Sequence, residues 1–358
     1  MSSTPPQTPH HHLPEWQQEY ASLSKQRIEL LIQQYFPTLP ADLFSPLIIS
    51  ATSLGRSLKT SLALRYLDWE RPRISNTFYE YLHVYKPSAH YKECYGHLLT
   101  DLAKIELIHS SSCILDDIID GDTHRRGVPS FHVRESIPKA LLTSLMMYSI
   151  ANTYSTLKDS AFTCSLMKSL GEMLSGEALD CFPLENTQFI LSKKSQQEIE
   201  ELYALKSSSL FSLAHERVGW RMQLGEKETN ALAHYGTNLG TLYQYANDYN
   251  DIFKISPNIR GSEEELITIT LSLPLIIALS RNYKKYSSLV GKTLPRKEFS
   301  EVIESFKQDK IDKESKNIID CLKKKVLESY PGSQQPTELI SLLEQLIKPL
   351  FWEYSYEK

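Results

Sequence analysis

The sequence predicts an all-α fold, and three observations carry that reading. Glycine is scarce, with 13 residues in 358. No segment sustains the polar–apolar alternation of a half-buried strand, and apolar residues recur instead at three- and four-residue spacing through most of the chain. A hydrophobic content of 41% over this length is enough to bury one large core.

Taken in order, the opening MSSTPPQTPHHHLPEW lacks the basic-then-apolar pattern of a secretory leader. It reads as a disordered leader over residues 1–15, with His10–His12 a polar tract within it, and residues 16–358 read as a single all-α domain. EWQQEYASLSKQRIELLIQQYF follows as the first helix. LAKIELIHSSSCIL runs into the acidic DDIID, and SQQEIEELYALKSSSLFSLAHERV, LGTLYQYANDYNDIFK and ELISLLEQLIKPLFWEY continue the helical spacing. The stretches PTLPADLFSP, YKPSAHYKE, GDTHRRGVPS, ISPNIRGSEEE and YPGSQQP carry turn residues and read as helix–helix connections. None is long enough for an interdomain linker, and no internal repeat of fixed period is present.

A formal net charge of −4 offers no basic excess for a phosphate backbone, so nucleic acid is not an expected partner. No apolar run approaches the length of a membrane span. Five scattered cysteines without a CxxC pair read as free thiols in a reducing, cytoplasmic compartment.

The chemistry-bearing stretch is SCILDDIIDGDTHRRGVPSFH, residues 112–132. Helical spacing puts Asp116 and Asp120 on neighbouring turns of one face. Their mutual repulsion becomes useful when a hard cation lies between them, because Mg²⁺ takes oxygen ligands from one or two carboxylates plus substrate phosphates. A plain solvated helix end explains the cluster poorly, since the macrodipole disfavours negative charge at a C-terminus. Arg125 and Arg126 follow in a loop closed by Gly127 and Pro129, and two successive guanidinium forks can address two anions. The pattern suits a metal-bridged diphosphate. A second acidic stretch, YQYANDYND, repeats the logic: Asn247 and Asp251 lie four apart with Asp248 beside them and Gln244 one turn earlier, so two helices facing across a bundle could share metal ions.

DDIID, four residues, then RRG, with His109 seven before Asp116, resembles the first aspartate-rich region of the trans-isoprenyl diphosphate synthases, and YQYANDYND resembles their second. The resemblance spans about residues 50 to 280. It implies an isoprenoid-synthase-type helical bundle around a deep apolar cavity, three Mg²⁺ ions and a homodimer. It further implies Asp116, Asp120, Asn247, Asp248 and Asp251 at the metal, and Arg125, Lys206, Ser207, Gln244 and Arg260 at the allylic diphosphate. Catalytic roles fall to Asp116, Asp120, Arg125 and Lys206. Arg56, Lys59, His109 and Arg126 match the pocket that receives isopentenyl diphosphate in that family. Ser111 and Ser112, five and four before Asp116, match positions that set chain length, where bulky aromatics shorten the product; small polar residues there could equally serve close helix packing.

Several positions depart from the family pattern. Asn247 turns DDxxD into NDxxD, Thr270 stands where a lysine is expected, and Gly176-Glu177 replaces a Gly-Gln pair. NDxxD resembles the fungal indole-diterpene geranylgeranyl transferases of the paxilline-pathway type. That resemblance implies a prenyltransferase using geranylgeranyl diphosphate and a phosphate-bearing acceptor, indole-3-glycerol phosphate. The alternatives are a geranylgeranyl diphosphate synthase and a non-catalytic partner subunit of a synthase. Intact DDxxD and RRG motifs speak against the last.

Overall fold

A computed structural model describes residues 15–35, 47–48, 50, 52, 59, 62–66, 89–125, 128–153, 160–181, 196–255, 266–332 and 336–347. The leader through residue 14 and the predicted site residues Arg56, Arg126 and Arg260 lie outside the described residues. The described chain is overwhelmingly helical, as the apolar spacing predicts.

The long helices are α1 (Glu15–Tyr35), α2 (Ala89–Ile119), α4 (Ile137–Thr153), α5 (Ser160–Cys181), α6 (Gln196–Arg221) and α7 (Glu226–Asn250), with the one-turn α3 (Phe131–Arg134) between α2 and α4. Helix α2 begins at Ala89, inside the YKPSAHYKE stretch that the sequence reads as a connection. Then come α8 (Leu273–Arg281), α9 (Tyr283–Tyr286), α10 (Arg296–Gln308), α11 (Ile311–Glu328) and α12 (Thr337–Leu346). Two short antiparallel strand pairs punctuate the helices: the hairpin of β1 (His124–Arg125) with β2 (Val128–Pro129), and β3 (Leu266–Thr268) with β4 (Thr293–Pro295), which flank α8 and α9. Their two- and three-residue strands are too short to leave an alternating pattern in the sequence.

Helix α6 is the centre, packing on α7, α5 and α2. Tyr203, Ala204, Leu210, Phe211, Leu213, Ala214 and Val218 are all buried along it, and a helix apolar on several sides belongs inside a bundle. Glycines let its neighbours approach: a Cβ on Gly176 of α5 would lie 2.4 Å from the backbone nitrogen of Lys206, and one on Gly240 of α7 would lie 2.4 Å from Ser208 Cα. The outer helices are one-sided. Phe299, Ile303 and Phe306 form the buried stripe of α10, and Leu339, Leu342, Leu343 and Leu346 that of α12.

The core also holds charge. Arg217 is only 2% exposed; its Nε and Nη2 donate to Asp101 Oδ2 at 3.0 and 2.8 Å. Arg221 shares the same carboxylate through Nε at 2.7 Å and Nη2 at 3.2 Å. Phe162 and Trp220 stack on Arg217, each ring centroid 4.4 Å from the guanidinium carbon. Asp101 is thereby fully used as an acceptor, and α2 is bolted to α6.

Candidate active site

Helix α2 ends just past the first acidic motif, and its ending builds the site. The amide of Asp120 donates to the Asp116 carbonyl and that of Asp122 to the Asp117 carbonyl, both at 2.9 Å. The six-to-one bond and Gly121 at φ +71 are the marks of a Schellman ending, which needs the left-handed conformation glycine adopts freely. The reversed chain enters the β1–β2 hairpin, where Arg125 pairs with Val128. Arg125 thereby folds back on the helix it has just left: Nε donates to Asp117 Oδ1 at 2.5 Å and Nη2 to Asp116 Oδ2 at 2.7 Å.

Lys206 arrives from α6, its Nζ 3.3 Å from Asp116 Oδ1 and 3.1 Å from Glu177 Oε2 of α5. The close packing at Gly176 sets that geometry. Burial would raise the Asp116 carboxyl, but the charges of Lys206 and Arg125 outweigh it and hold the group below the ordinary carboxylate value. Asp117 goes the other way: desolvation, with Asp116 and Asp122, raises it against the pull of Arg125. Burial likewise raises Asp122.

The second motif divides by orientation. Asp248 is buried and its oxygens are used within the protein. Oδ1 accepts from Gln244 Nε2 at 2.9 Å and Tyr203 Oη at 3.3 Å, and Oδ2 accepts the Leu273 amide at 2.9 Å. A carboxylate on the first amide of α8 opposes the helix dipole favourably. Ser207 Oγ donates to Gln244 Oε1 at 2.5 Å, so Ser207, Gln244 and Asp248 form one chain of hydrogen bonds between α6 and α7. Asn247 is half-buried, and Asp251 is exposed. The sequence places Asp251 inside the helix. In the structure α7 stops at Asn250, and Asp251 opens a π-helical turn over Asp251–Ile255, a feature common at functional sites. The protein packed around its carboxyl, then the charge of Asp122, raises Asp251 above the ordinary carboxylate value, although the residue as a whole is exposed.

Two of the four predicted anion-pocket residues meet. Lys59 is buried, its Nζ 3.2 Å from both ring nitrogens of His109 and 5.1 Å from the centroid of Phe211. An ammonium only donates, so the facing His109 nitrogen accepts. Cys113 Sγ lies 3.8 Å from His109 Nδ1. Of the two serines, Ser111 is fully buried against α4, its Oγ 2.6 Å from Ser144 Oγ, while Ser112 Oγ donates to the His109 carbonyl at 2.8 Å.

The donor set suits a hard cation. Asp116 Oδ1 is buried and accepts no hydrogen bond despite the nearby ammonium. Among the described residues no three carboxylate, histidine or cysteine side chains converge as a ready ligand set. Sequence reasoning missed Asp122 and treated Glu177 only as a departure from a family pattern. The Asp-Gly-Asp helix ending, which aims the chain back over the carboxylates, is the signal that could have found the first.

The bundle, with acidic motifs at the ends of two of its helices, has the all-α isoprenoid-synthase fold: octaprenyl pyrophosphate synthase from Helicobacter pylori superposes with a TM-score of 0.66 at 17% identity, over 92% of this chain and 99% of that one. The chain belongs to the polyprenyl synthetase family, whose model matches residues 70–308. It is similar to a short chain isoprenyl diphosphate synthase of Methanocaldococcus jannaschii, 26% identical over 48% of this chain and 55% of that protein. It is also similar to a geranylfarnesyl diphosphate synthase of Natronomonas pharaonis, 29% identical over 46% and 50%. The chain thus spans about half the length of such curated relatives.

Proposed function

We propose that this chain is a Mg²⁺-dependent prenyltransferase that ionises geranylgeranyl diphosphate and transfers the C20 chain to indole-3-glycerol phosphate. The observation that carries the diphosphate half is Asp116 set between Arg125 and Lys206. The acceptor half rests on Asn247, which removes one charge from the second motif, and on the basic pair Lys59 and His109, which can hold a phosphate-bearing acceptor together with Arg56 and Arg126.

In this reading residues 16–358 act as one catalytic unit. Asp116 and Asp120, with Asn247 and Asp251, would hold up to three Mg²⁺ ions, whose charge would stabilise the leaving diphosphate. Arg125 and Lys206 turn from the aspartates to the diphosphate oxygens as the C1–O bond weakens, supplying positive charge where negative charge develops. Ser207, Gln244 and Arg260 complete the diphosphate cradle. Asp248 fixes the helix end that presents its neighbours. Apolar walls keep water from the allyl cation, indole C3 bonds to C1, and the proton lost from the indole passes to the released diphosphate.

The chain works as a homodimer. Val133, Ile137, Leu141, Leu142 and Leu145 are all exposed on α3 and α4, and an apolar stripe of that kind marks an interaction face. Among the described residues no helix is long and apolar enough to cross a membrane, and scattered thiols suit a cytoplasmic setting.

A second reading, a geranylgeranyl diphosphate synthase, is favoured by the isoprenyl diphosphate synthases among the relatives. Incubation with Mg²⁺, geranylgeranyl diphosphate and indole-3-glycerol phosphate, beside incubation with allylic diphosphates and isopentenyl diphosphate, separates the two. The expected product is geranylgeranyl-indole-glycerol phosphate; chain elongation with no indole product overturns the acceptor assignment.

A further inference from the structure

We infer that Asn250, the last residue of α7, is a positioning residue: it fixes the rotation of that helix's end and so sets where Asn247 and Asp251 present their oxygens. The inference rests on the metal-dependent reading above. At about 100° per residue, Asn247 and Asp251 lie about 40° apart on the helix and share a face. The Asp251 amide still donates to the Asn247 and Asp248 carbonyls, so the helical phase holds as far as that residue. On the same wheel Asp248 stands about 100° to one side of Asn247, and Asn250 about 60° to the other. A half-buried and an exposed residue are thus flanked by two buried ones.

Each flank is tied to the end of a different helix. Asp248 Oδ2 accepts the Leu273 amide at 2.9 Å, at the start of α8. Asn250 Nδ2 donates at 3.1 Å to the carbonyl of Ile347, the residue that caps the end of α12. The acceptor meets the helix end that carries free N–H groups, and the donor meets the end that carries free carbonyls. One such bond leaves a helix able to turn about its axis. Two bonds on opposite sides of the presented face hold it.

Packing alone does not account for an amide at this position. Asn250 is 2% exposed, and among the described residues its Oδ1 is buried with no hydrogen-bond partner. A buried acceptor left unpaired is unfavourable, and leucine, close to asparagine in shape, fills the space without one. What the amide adds is its donor. That donor sits at the residue where α7 gives way to the π-helical turn of Asp251–Ile255, the point at which the direction of Asp251 is decided.

Wild type, Asn250→Leu and Asn250→Ala are compared for Mn²⁺ binding by calorimetry in the presence of inorganic pyrophosphate, with urea midpoints measured beside them. Asn238→Ala is the control, because Asn238 Nδ2 ties the same helix to Ser329 Oγ at 2.9 Å, about 18 Å nearer its start. Losing a group that orients metal ligands weakens a site about 10- to 100-fold. Both Asn250 variants are expected to lose Mn²⁺ affinity in that range, with Asn250→Leu keeping a urea midpoint at or above that of wild type. Asn238→Ala should lower the midpoint and leave the affinity unchanged. Asn250→Ala carries the test if Asn250→Leu does not fold. Wild-type affinity in a folded Asn250 variant, or an equal loss in Asn238→Ala, overturns the inference and leaves the metal reading standing. Wild type that binds no Mn²⁺ with pyrophosphate refutes the metal reading itself, and the inference with it.

Discussion

Alanine at Gly176 and alanine at Gly171 should have opposite effects, although both lie in α5. Gly171 is exposed, and an added Cβ meets nothing within 4 Å. Removing backbone entropy from the unfolded chain there stabilises the helix by about 0.5–1 kcal/mol. At Gly176 the added Cβ falls 2.4 Å from Lys206 N and 3.0 Å from its Cα. Unbonded heavy atoms settle near 3.5 Å, so α5 and α6 must part by roughly 1 Å. Overpacking of that kind costs about 1–3 kcal/mol. The same parting stretches the 3.1 Å contact between Lys206 and Glu177, and a misplacement of about 1 Å can cost on the order of 100-fold in rate. Urea unfolding followed by circular dichroism, with turnover assayed beside it, tests both signs. If Gly176→Ala is as stable and as active as wild type, the glycine does not set the lysine's position and the packing argument fails.

Asp101→Ala strips Arg217 and Arg221 of the carboxylate they share, and breaking a buried pair in this way should cost about 3–5 kcal/mol by chemical denaturation. His215, fully buried, has its imidazole pushed by desolvation from 6.5 down to about 4. The unfolded chain therefore binds more protons between those values, so the contribution is complete above pH 6.5 and is lost as pH falls toward 4, on the order of 3 kcal/mol in all. A stability-against-pH series should show that slope flattened in His215→Leu, and an unaltered slope would assign it elsewhere. Under the proposed homodimer, Leu141→Glu with Leu145→Glu, both on the exposed face of α4, should give a monomer in sedimentation velocity, and an unchanged sedimentation coefficient would refute α4 as the dimer face.

The helices were legible because burial writes itself into sequence as period. The stripes of α10 and α12 are plain examples, and α6, buried on several sides, shows how little amphipathicity a central helix needs. The first motif was legible for a different reason: Asp116, Asp117 and Arg125 are close in the chain, so local geometry nearly determines their meeting. Contacts between distant segments left no such trace. Spacing puts Asp248 on the same helix as Asn247 but cannot say that its Oδ2 is taken by the amide of Leu273, 25 residues on. Nor can it say that Ser111 turns toward Ser144 in α4, 33 residues away. Glu177 was visible only as a substitution; its pairing with Lys206 depends on how closely two helices pack at a glycine.

Asp116 is engaged on both oxygens, by Arg125 at 2.7 Å and by Lys206 at 3.3 Å. Under the proposed activity, a divalent cation arriving alone must compete with two fixed positive charges for one carboxylate. A diphosphate arriving alone must draw those same charges away from aspartates. Arriving together, each removes the other's competitor. Linkage then requires that the factor by which diphosphate tightens the metal equal the factor by which metal tightens the diphosphate. The site is in this sense a coincidence detector, poised to assemble only when both arrive, and this keeps its cations from being held idle by either one.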